Sequence, residues 1–112
     1  MAKPSFNSGQ YLYFHTSGAG NTGYATIITQ KRAYVFTLAA ATANAIQFFQ
    51  HEVVRRILLT MKCAAAGAVE ISTTGTTQLG TGTPDASVLG RADIEPVTTS
   101  GLPQQNYYYD YT

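Results

Sequence analysis

Turn-forming residues recur at short, regular intervals along this chain, and that spacing constrains its fold more than any other feature. They occur at Ser8-Gly9, 17–23, Ala66-Gly67, Thr74-Gly75, 80–85, Gly90 and 100–103. The segments between them are rich in Tyr, Phe, Val, Ile and Thr, which favour a half-buried pleated strand over a helix. Several short strands at such spacing are typical of a β-sandwich or a small jelly roll. The sequence therefore predicts an all-β fold.

Alternation of apolar and polar residues places the individual strands. The predicted strands are Tyr11–Thr16, Tyr24–Thr29, Arg32–Leu38, Val53–Cys63, Ala68–Thr73, Ser87–Leu89, Ala92–Val97 and Asn106–Tyr111. In the strand at 68–73, Val69 and Ile71 face one way while Glu70 and Ser72 face the other, which is the pattern of a strand with one solvated side.

The stretch at 38–66 fits two interpretations. At a helical period, Ile46, Phe49, Val53, Ile57 and Met61 form an apolar stripe. Adjacent aromatic and β-branched residues, and the absence of a strong cap before this stripe, favour a long strand and a hairpin instead. The prediction is therefore strand, with a short helix within residues 38–66 kept as the alternative.

A chain of 112 residues is long enough for one domain and too short for two ordinary ones. We expect a single β-sandwich domain over residues 1–112. Residues 1–9 form an N-terminal extension in this interpretation, and residues 105–112 form a Tyr-rich C-terminal segment.

Charge argues against two classes of partner. The chain carries 12% charged residues and a net charge of +1, with Lys and Arg scattered rather than clustered. Nucleic-acid binding needs a basic stripe that displaces counterions, so we expect no nucleic-acid partner. No apolar run approaches the roughly 18 residues of a membrane span, and the N-terminus has no signal-peptide core, so we expect no membrane partner and synthesis in a cytoplasm.

One glycine motif resembles a nucleotide-binding fingerprint. Residues Gly18 to Gly23 match the string G-x-G-x-x-G. In a dinucleotide site the third glycine opens a helix, and an acidic residue follows about 20 residues on. Here a strand pattern follows, and the first acidic residue after the loop is Glu52. We interpret the motif as a hairpin loop.

No group of residues predicts catalysis. His15, His51 and Cys63 are the candidates for nucleophilic or general-base chemistry, but Cys63 continues an apolar strand face as a small buried residue does. Asp93 and Glu95 lie two residues apart, which fits a salt-bridged strand face better than a glycosidase pair. We expect no enzymatic activity, no cofactor and no metal site.

Candidate interface residues are aromatic or cationic. Half of the eight tyrosines lie within residues 107–111, and Arg55 and Arg56 form an adjacent pair suited to an ion pair between subunits. Tyrosine offers a large contact area, a low entropy cost and a hydroxyl group. The predicted interface residues are Tyr11, Tyr13, Arg55, Arg56, Tyr107, Tyr109 and Tyr111.

The run from Val54 to Ser72, V-R-R-I-L-L-T-M-K-C-A-A-A-G-A-V-E-I-S, combines an apolar strand, a small-residue turn and an alternating strand. In this run, as in its low charge and Thr-, Ala- and Gly-rich strands, the chain resembles small all-β virion proteins of tailed bacteriophages. The resemblance implies a capsid decoration or cement protein, or a head-fibre or tail accessory protein. Its partners would be further copies of itself, as in a trimer, and other virion proteins such as a major capsid protein, and its location would be the virion.

A second function from another class is compatible with the same residues. Tyr107, Tyr109 and Tyr111 share one face of a strand and could stack on sugar rings. The alternative is therefore a carbohydrate-binding β-sandwich, such as a tail or host-attachment component. Such a module would leave these rings exposed beside carboxylates or amides, whereas an assembly protein would cover them.

Overall fold

The computed structural model describes residues 3–79 and 82–111. Strands make up 53% of the structure and helix 4%, which confirms the all-β prediction. The elements are β1 Ser5–Phe6, β2 Tyr11–Thr16, β3 Gly23–Thr29, β4 Ala33–Leu38, β5 Ala43–Gln47, β6 Glu52–Lys62, β7 Gly67–Ser72, β8 Val88–Ile94, α1 Val97–Ser100 and β9 Gln104–Asp110.

The strands form two antiparallel sheets that pack as a sandwich. The large sheet has the order β1-β6-β3-β4, with β9 also paired to β6, and the small sheet has the order β5-β2-β7-β8. Strand β1 pairs with β6 at Glu52 and Val53, and β9 pairs with it from Arg56 to Lys62, so both lie along the same side of β6. Among the nine described strands, only the β3–β4 and β7–β8 connections stay within one sheet, and the others cross the sandwich.

Alternate residues of both sheets face inward and form one core. Phe14 and Ile71 of the small sheet and Ile27 and Leu59 of the large sheet are fully buried. Phe6 of β1 stacks on Phe48 with ring centroids 4.7 Å apart, so part of the segment predicted as an N-terminal extension belongs to this core. Burying a side chain of this size contributes about 1.5 to 3 kcal/mol to the stability of the folded chain. The buried side chains of both sheets therefore hold the two sheets together.

The helical alternative for residues 38–66 is wrong. These residues contain β5 and β6, and no helix lies within the range. A helix would have placed Phe49 in its apolar stripe, but Phe49 is 80% exposed and Phe48 is buried. Pairing with strands distant in sequence, β2 for β5 and β3 for β6, overrides the local helical period.

The two short strands predicted at 87–89 and 92–97 are one strand, β8. On the partner strand β7, Ile71 lies opposite Gly90 and Ser72 lies opposite Val88, with a register shift between the two pairs. The pairing therefore continues past Gly90. A Cβ atom at Gly90 would lie 2.8 Å from the Tyr109 ring, which explains why glycine occupies the middle of this strand. The chain then leaves the sheet at Ile94, and residues 97–100 form the short helix α1.

The G-x-G-x-x-G motif is the loop between β2 and β3. Gly18 and Gly20 have φ angles of 96° and 78°, in the left-handed region that glycine adopts without strain. Asn21 is fully buried, and its amide bonds the carbonyl groups of Ser17 and Ala65 and the N–H groups of Ala64 and Ala65 at 2.8 to 3.0 Å. The motif therefore joins two loops at one end of the sandwich, and β3 follows it, as predicted.

Candidate interaction surface

The side of the large sheet that faces away from the core forms an open surface, which we call the outer face. Three rows of side chains cross it from β4 through β3 and β6 to β9. The rows are Thr37, Tyr24, Thr60 and Asn106; Val35, Thr26, Leu58 and Tyr108; and Ala33, Ile28, Arg56 and Asp110. Four strands at the usual spacing make this surface roughly 19 Å wide.

Charge on the outer face lies mainly toward the two ends of β6, where Arg55 and Lys62 are exposed. Within the three rows, the charged side chains are Arg56 and Asp110, which lie opposite each other on β6 and β9 and form an ion pair. Both are half exposed, with 50% and 60% of their side-chain surface accessible. Hydroxyl and aliphatic groups make up most of the rest, and Thr60 donates a hydrogen bond to the Asn106 amide at 2.9 Å. A surface of this kind is inexpensive to remove from water because it holds few charges.

Three large side chains project from the outer face into solvent. Val35 is 76% exposed, Tyr108 is 62% exposed and Tyr24 is 46% exposed. Tyr24 and Tyr108 lie on either side of β6 and two residues apart in register, so their Cα atoms are separated by roughly 12 Å. Aromatic residues are enriched in the cores of protein interfaces, and charged residues are depleted there.

The predicted strand near the C-terminus is β9, and its alternation is confirmed. Tyr107, Tyr109 and Tyr111 point into the sandwich, where their hydroxyls donate to the backbone carbonyls of β8 residues Asp93, Arg91 and Leu89 at 2.7 to 3.2 Å. Their role between subunits stays a prediction. In this chain they close one side of the sandwich, and Tyr108 is the tyrosine of the segment that faces solvent.

The Arg55-Arg56 pair lies at an irregularity of β6. Register shifts between Ile28 and Thr29 of β3, so Thr29 pairs with Val54 and Ile28 with Arg56, and Arg55 is the extra residue. Such a bulge turns two successive side chains outward. Both arginines are exposed, and Arg56 pairs with Asp110 of its own chain. An ion pair between subunits would require Arg56 to exchange that partner, and it stays a prediction.

Tyr11 and Tyr13 lie on the solvent side of the small sheet. Their ring centroids are 5.9 Å apart, and Tyr13 stacks on His15 at 6.1 Å. Tyr11 is 41% exposed, whereas His15 is buried because the loop after β7 covers it and its Nε2 lies 3.0 Å from the Thr74 carbonyl oxygen. The sheet therefore exposes mainly Tyr11 at this end, and the interface role of this pair also stays a prediction.

The solvated side predicted for the 68–73 strand is wrong at Glu70 and Ser72. Both are fully buried because the loop that follows β7 folds back over them. The Gln78 N–H donates to the Glu70 carboxylate at 3.0 Å, and Arg91 forms a salt bridge with it at 3.2 Å. Beside this loop lies an open cleft of about 380 Å³, lined by His15, Thr16, Ser17, Ala41, Thr42, Ala43, Gly75, Thr77 and Leu79.

A second buried carboxylate, Glu52, joins β6 to the β3–β4 hairpin. It accepts hydrogen bonds from the Thr29 hydroxyl at 2.8 Å and from the Tyr34 hydroxyl, and it forms a salt bridge with Arg32 at 3.5 Å. Desolvation and the bond to Glu52 raise the pKa of Tyr34 to about 12. Burial likewise raises the pKa of Tyr109 to about 12.

These raised pKa values predict alkaline instability. The folded state holds the phenol protons of Tyr34 and Tyr109 more tightly than the unfolded chain, in which the pKa is 10.0. Their contribution to the free energy of unfolding is therefore complete below about pH 10 and is lost as the pH rises toward about 12. Urea denaturation across this range should show the midpoint falling, with a smaller fall in the Tyr34→Phe variant. A constant midpoint up to pH 12 would contradict the assignment.

Residues 3–79 and 82–111 contain no group of three or more His, Cys, Asp or Glu side chains placed to hold a metal ion. No helix in this part of the chain is long and apolar enough to cross a membrane.

Comparison with known proteins identified no relative. No family model, curated protein or solved structure matches this chain.

The residues that make the outer face distinctive were not among those predicted from the sequence. Tyr24, Val35 and Tyr108 belong to predicted strands, but nothing in a single strand shows which of its two faces is covered. The exposed face can be recognised by comparing strands, because the charged residues Arg56 and Asp110 indicate the solvent side of β6 and β9. The strand register then places Tyr24 and Val35 on the same side.

Proposed function

We propose that this chain is a structural protein of a virion and that it acts as a capsid decoration or cement protein. The observation that carries the proposal is the outer face of the large sheet, an open surface whose three rows hold exposed Tyr24, Val35 and Tyr108 and one ion pair. The class of partner follows from the resemblance to small all-β phage virion proteins. A head-fibre or tail accessory protein would use the same surface.

The composition of the outer face suits a protein partner. Protein interfaces are enriched in Tyr and depleted of Lys, Glu and Asp at their centre. On this face Tyr108 lies beside Leu58, Thr26 lies on the far side of Leu58, and Arg56 and Asp110 balance each other's charge. A partner that covers these three rows would therefore cover aromatic and aliphatic groups and a matched ion pair, with Arg55 and Lys62 left at the rim.

Binding to particles tests the proposal. Virus particles from the cells that make this chain should carry it on their surface, as detected by immunogold electron microscopy with an antibody against the chain. Particles stripped of it should take up the purified chain in a sedimentation assay. Tyr108→Asp should weaken this uptake at least about tenfold, because a central interface tyrosine typically contributes 2 kcal/mol or more.

The matched control is Val97→Asp, which also places a carboxylate at an exposed apolar position but lies in α1, away from the outer face. It should bind like the unaltered chain. Absence of the chain from particles, or equal binding by Tyr108→Asp and the unaltered chain, would contradict the proposal.

The alternative function, carbohydrate binding, rests on a different group of residues from the one predicted. Tyr24 and Tyr108 offer exposed rings, and the Asn106 amide and the Asp110 carboxylate lie in the rows on either side of Tyr108. This combination of rings and polar groups is the exposed platform that a sugar-binding module needs. Titration with glucose, galactose, mannose and N-acetylglucosamine, followed by NMR, should shift the amide signals of residues 106–110 if the chain binds sugars. No shifts with any sugar would reject this function.

A further inference from the structure

The large sheet ends at β4, and the outer edge of this strand is open. Thr29 donates its N–H to the Arg32 carbonyl at the start of the hairpin. Along an antiparallel pair, the N–H and C=O groups of successive residues point alternately to the two sides of the strand. Tyr34, Phe36 and Leu38 therefore direct their N–H and C=O groups to β3. The N–H and C=O groups of Ala33, Val35 and Thr37 therefore point away from the sheet. Among the described residues, none of these groups has another hydrogen-bond partner.

Nothing in the sequence of β4 protects this edge. The strand reads A-Y-V-F-T-L, without charge, proline or glycine, and its register with β3 is regular throughout. Natural proteins usually block exposed edges with charges, prolines or bulges. The other edge strands are blocked or short: β9 ends in Asp110, β8 contains Arg91 and Asp93, and β5 has five residues.

The two sides of the sandwich also differ. On the β9 side, the rings of Tyr107, Tyr109 and Tyr111 close the gap between the sheets by bonding β8. On the β4 side, Tyr34 and Phe36 point inward, but both remain partly exposed at the edge. The uncovered surface of these two rings and the unpaired backbone groups of Ala33, Val35 and Thr37 therefore lie on the same strand, β4.

We propose that β4 pairs with β4 of a second copy of this chain, in antiparallel orientation, so that two large sheets join into one. Antiparallel self-pairing has two-fold symmetry and closes on itself as a dimer. The free groups lie at residues 33, 35 and 37, so the register that uses all of them pairs Val35 with Val35 of the second copy and Ala33 with Thr37. Three such residue pairs with two hydrogen bonds each give six hydrogen bonds.

Side chains on both faces fit this register. On the inward side, Tyr34 of each copy lies opposite Phe36 of the other, at a non-hydrogen-bonded position where Cα atoms are about 4.5 Å apart. Aromatic pairs at such positions stabilise a sheet. On the outer face, the two Val35 side chains meet at the symmetry axis, which covers the most exposed apolar residue of the large sheet.

The positions of the charged residues favour antiparallel over parallel pairing of the two β4 strands. Lys31 and Arg32 directly precede β4. In the antiparallel register Arg32 lies opposite Leu38 of the second copy, so the two basic pairs are roughly 20 Å apart along the strands. Parallel pairing would place them side by side, where like charges repel.

The inference does not depend on the proposed function, because it requires only a second copy of the chain. Size-exclusion chromatography with multi-angle light scattering tests it directly. The purified chain should elute at about 24 kDa, which is 2 × 12.0 kDa. Val35→Lys places two like charges at the symmetry axis and should weaken self-association at least tenfold, as should Val35→Glu. An equimolar mixture of Val35→Lys and Val35→Glu should restore the dimer, which shows that both variants remain folded.

A control variant addresses the other edge of the large sheet. Ser5→Lys adds the same charge to an exposed position of β1, which lies on the opposite side of the large sheet from β4, and should leave the dimer intact. A monomeric unaltered chain, a dimer that persists in Val35→Lys, or a mixture that stays monomeric would overturn the proposal. A trimer would overturn it as well, because antiparallel self-pairing of β4 closes at two copies. A monomer that still binds particles would remove this inference and leave the proposed function in place.

Discussion

Replacing Asn21 with alanine should lower the free energy of unfolding by about 3 to 5 kcal/mol. The amide of this buried side chain satisfies two carbonyl and two N–H groups of the loops at 17–23 and 63–67. A buried backbone group left without a partner costs about 1 to 3 kcal/mol, and water entering the space left by the amide would offset part of the sum. The loss should appear as a lower midpoint in urea denaturation.

Two further variants test whether the lost amide hydrogen bonds cause the expected loss of stability. Thr22→Ala alters the exposed neighbouring residue and should change stability by less than about 0.5 kcal/mol. Asn21→Asp keeps the shape but places carboxylate oxygens against the carbonyl groups of Ser17 and Ala65, so it should destabilise the chain at neutral pH. If Asn21→Ala were as stable as the unaltered chain, the two loops would not depend on this amide.

Replacing Glu70 with alanine should loosen the loop at 73–79 and cost about 1 to 3 kcal/mol. A loss of this size is typical when a buried hydrogen-bond donor loses its acceptor. Here the Gln78 N–H loses the Glu70 carboxylate, whereas Arg91, which is 29% exposed, keeps its bond to the Gln78 carbonyl oxygen. Amide hydrogen exchange at Gln78 should accelerate more than exchange in β6.

The control for Glu70→Ala is Glu95→Ala, which removes an exposed carboxylate of the same type and should be neutral. Unchanged exchange at Gln78 in Glu70→Ala would show that the loop is held by other contacts.

The sequence predicted the elements better than it predicted their surroundings. Tyr107, Tyr109 and Tyr111 point inward as their alternation indicated, because a period of two is a property of the strand itself. Glu70 obeys the same period, yet it is buried, because a later loop closes over it and supplies the N–H of Gln78. A period reports which side chains share a face, and it contains no information on what covers that face.

The candidate surface shows the same limit. Arg56 and Asp110 were recognisable as charged residues, but their pairing depends on the register of β6 with β9, more than fifty positions apart in the sequence. Tyr24, Val35 and Tyr108 share a surface for the same reason. The open edge at β4 was likewise hidden, because a strand becomes an edge only through the order in which other strands pair.

The connectivity of the sandwich has a consequence for how the chain folds. Strand β6 is the longest described strand, and its partner β9 follows it by more than forty residues. Among the described strands, two connections are hairpins within a sheet, so most pairing joins segments far apart in the sequence, which slows folding. One side of β6 therefore stays without most of its pairing until β9 has left the ribosome. A ribosome-bound chain that has not yet released β9 would present this unpaired edge to chaperones.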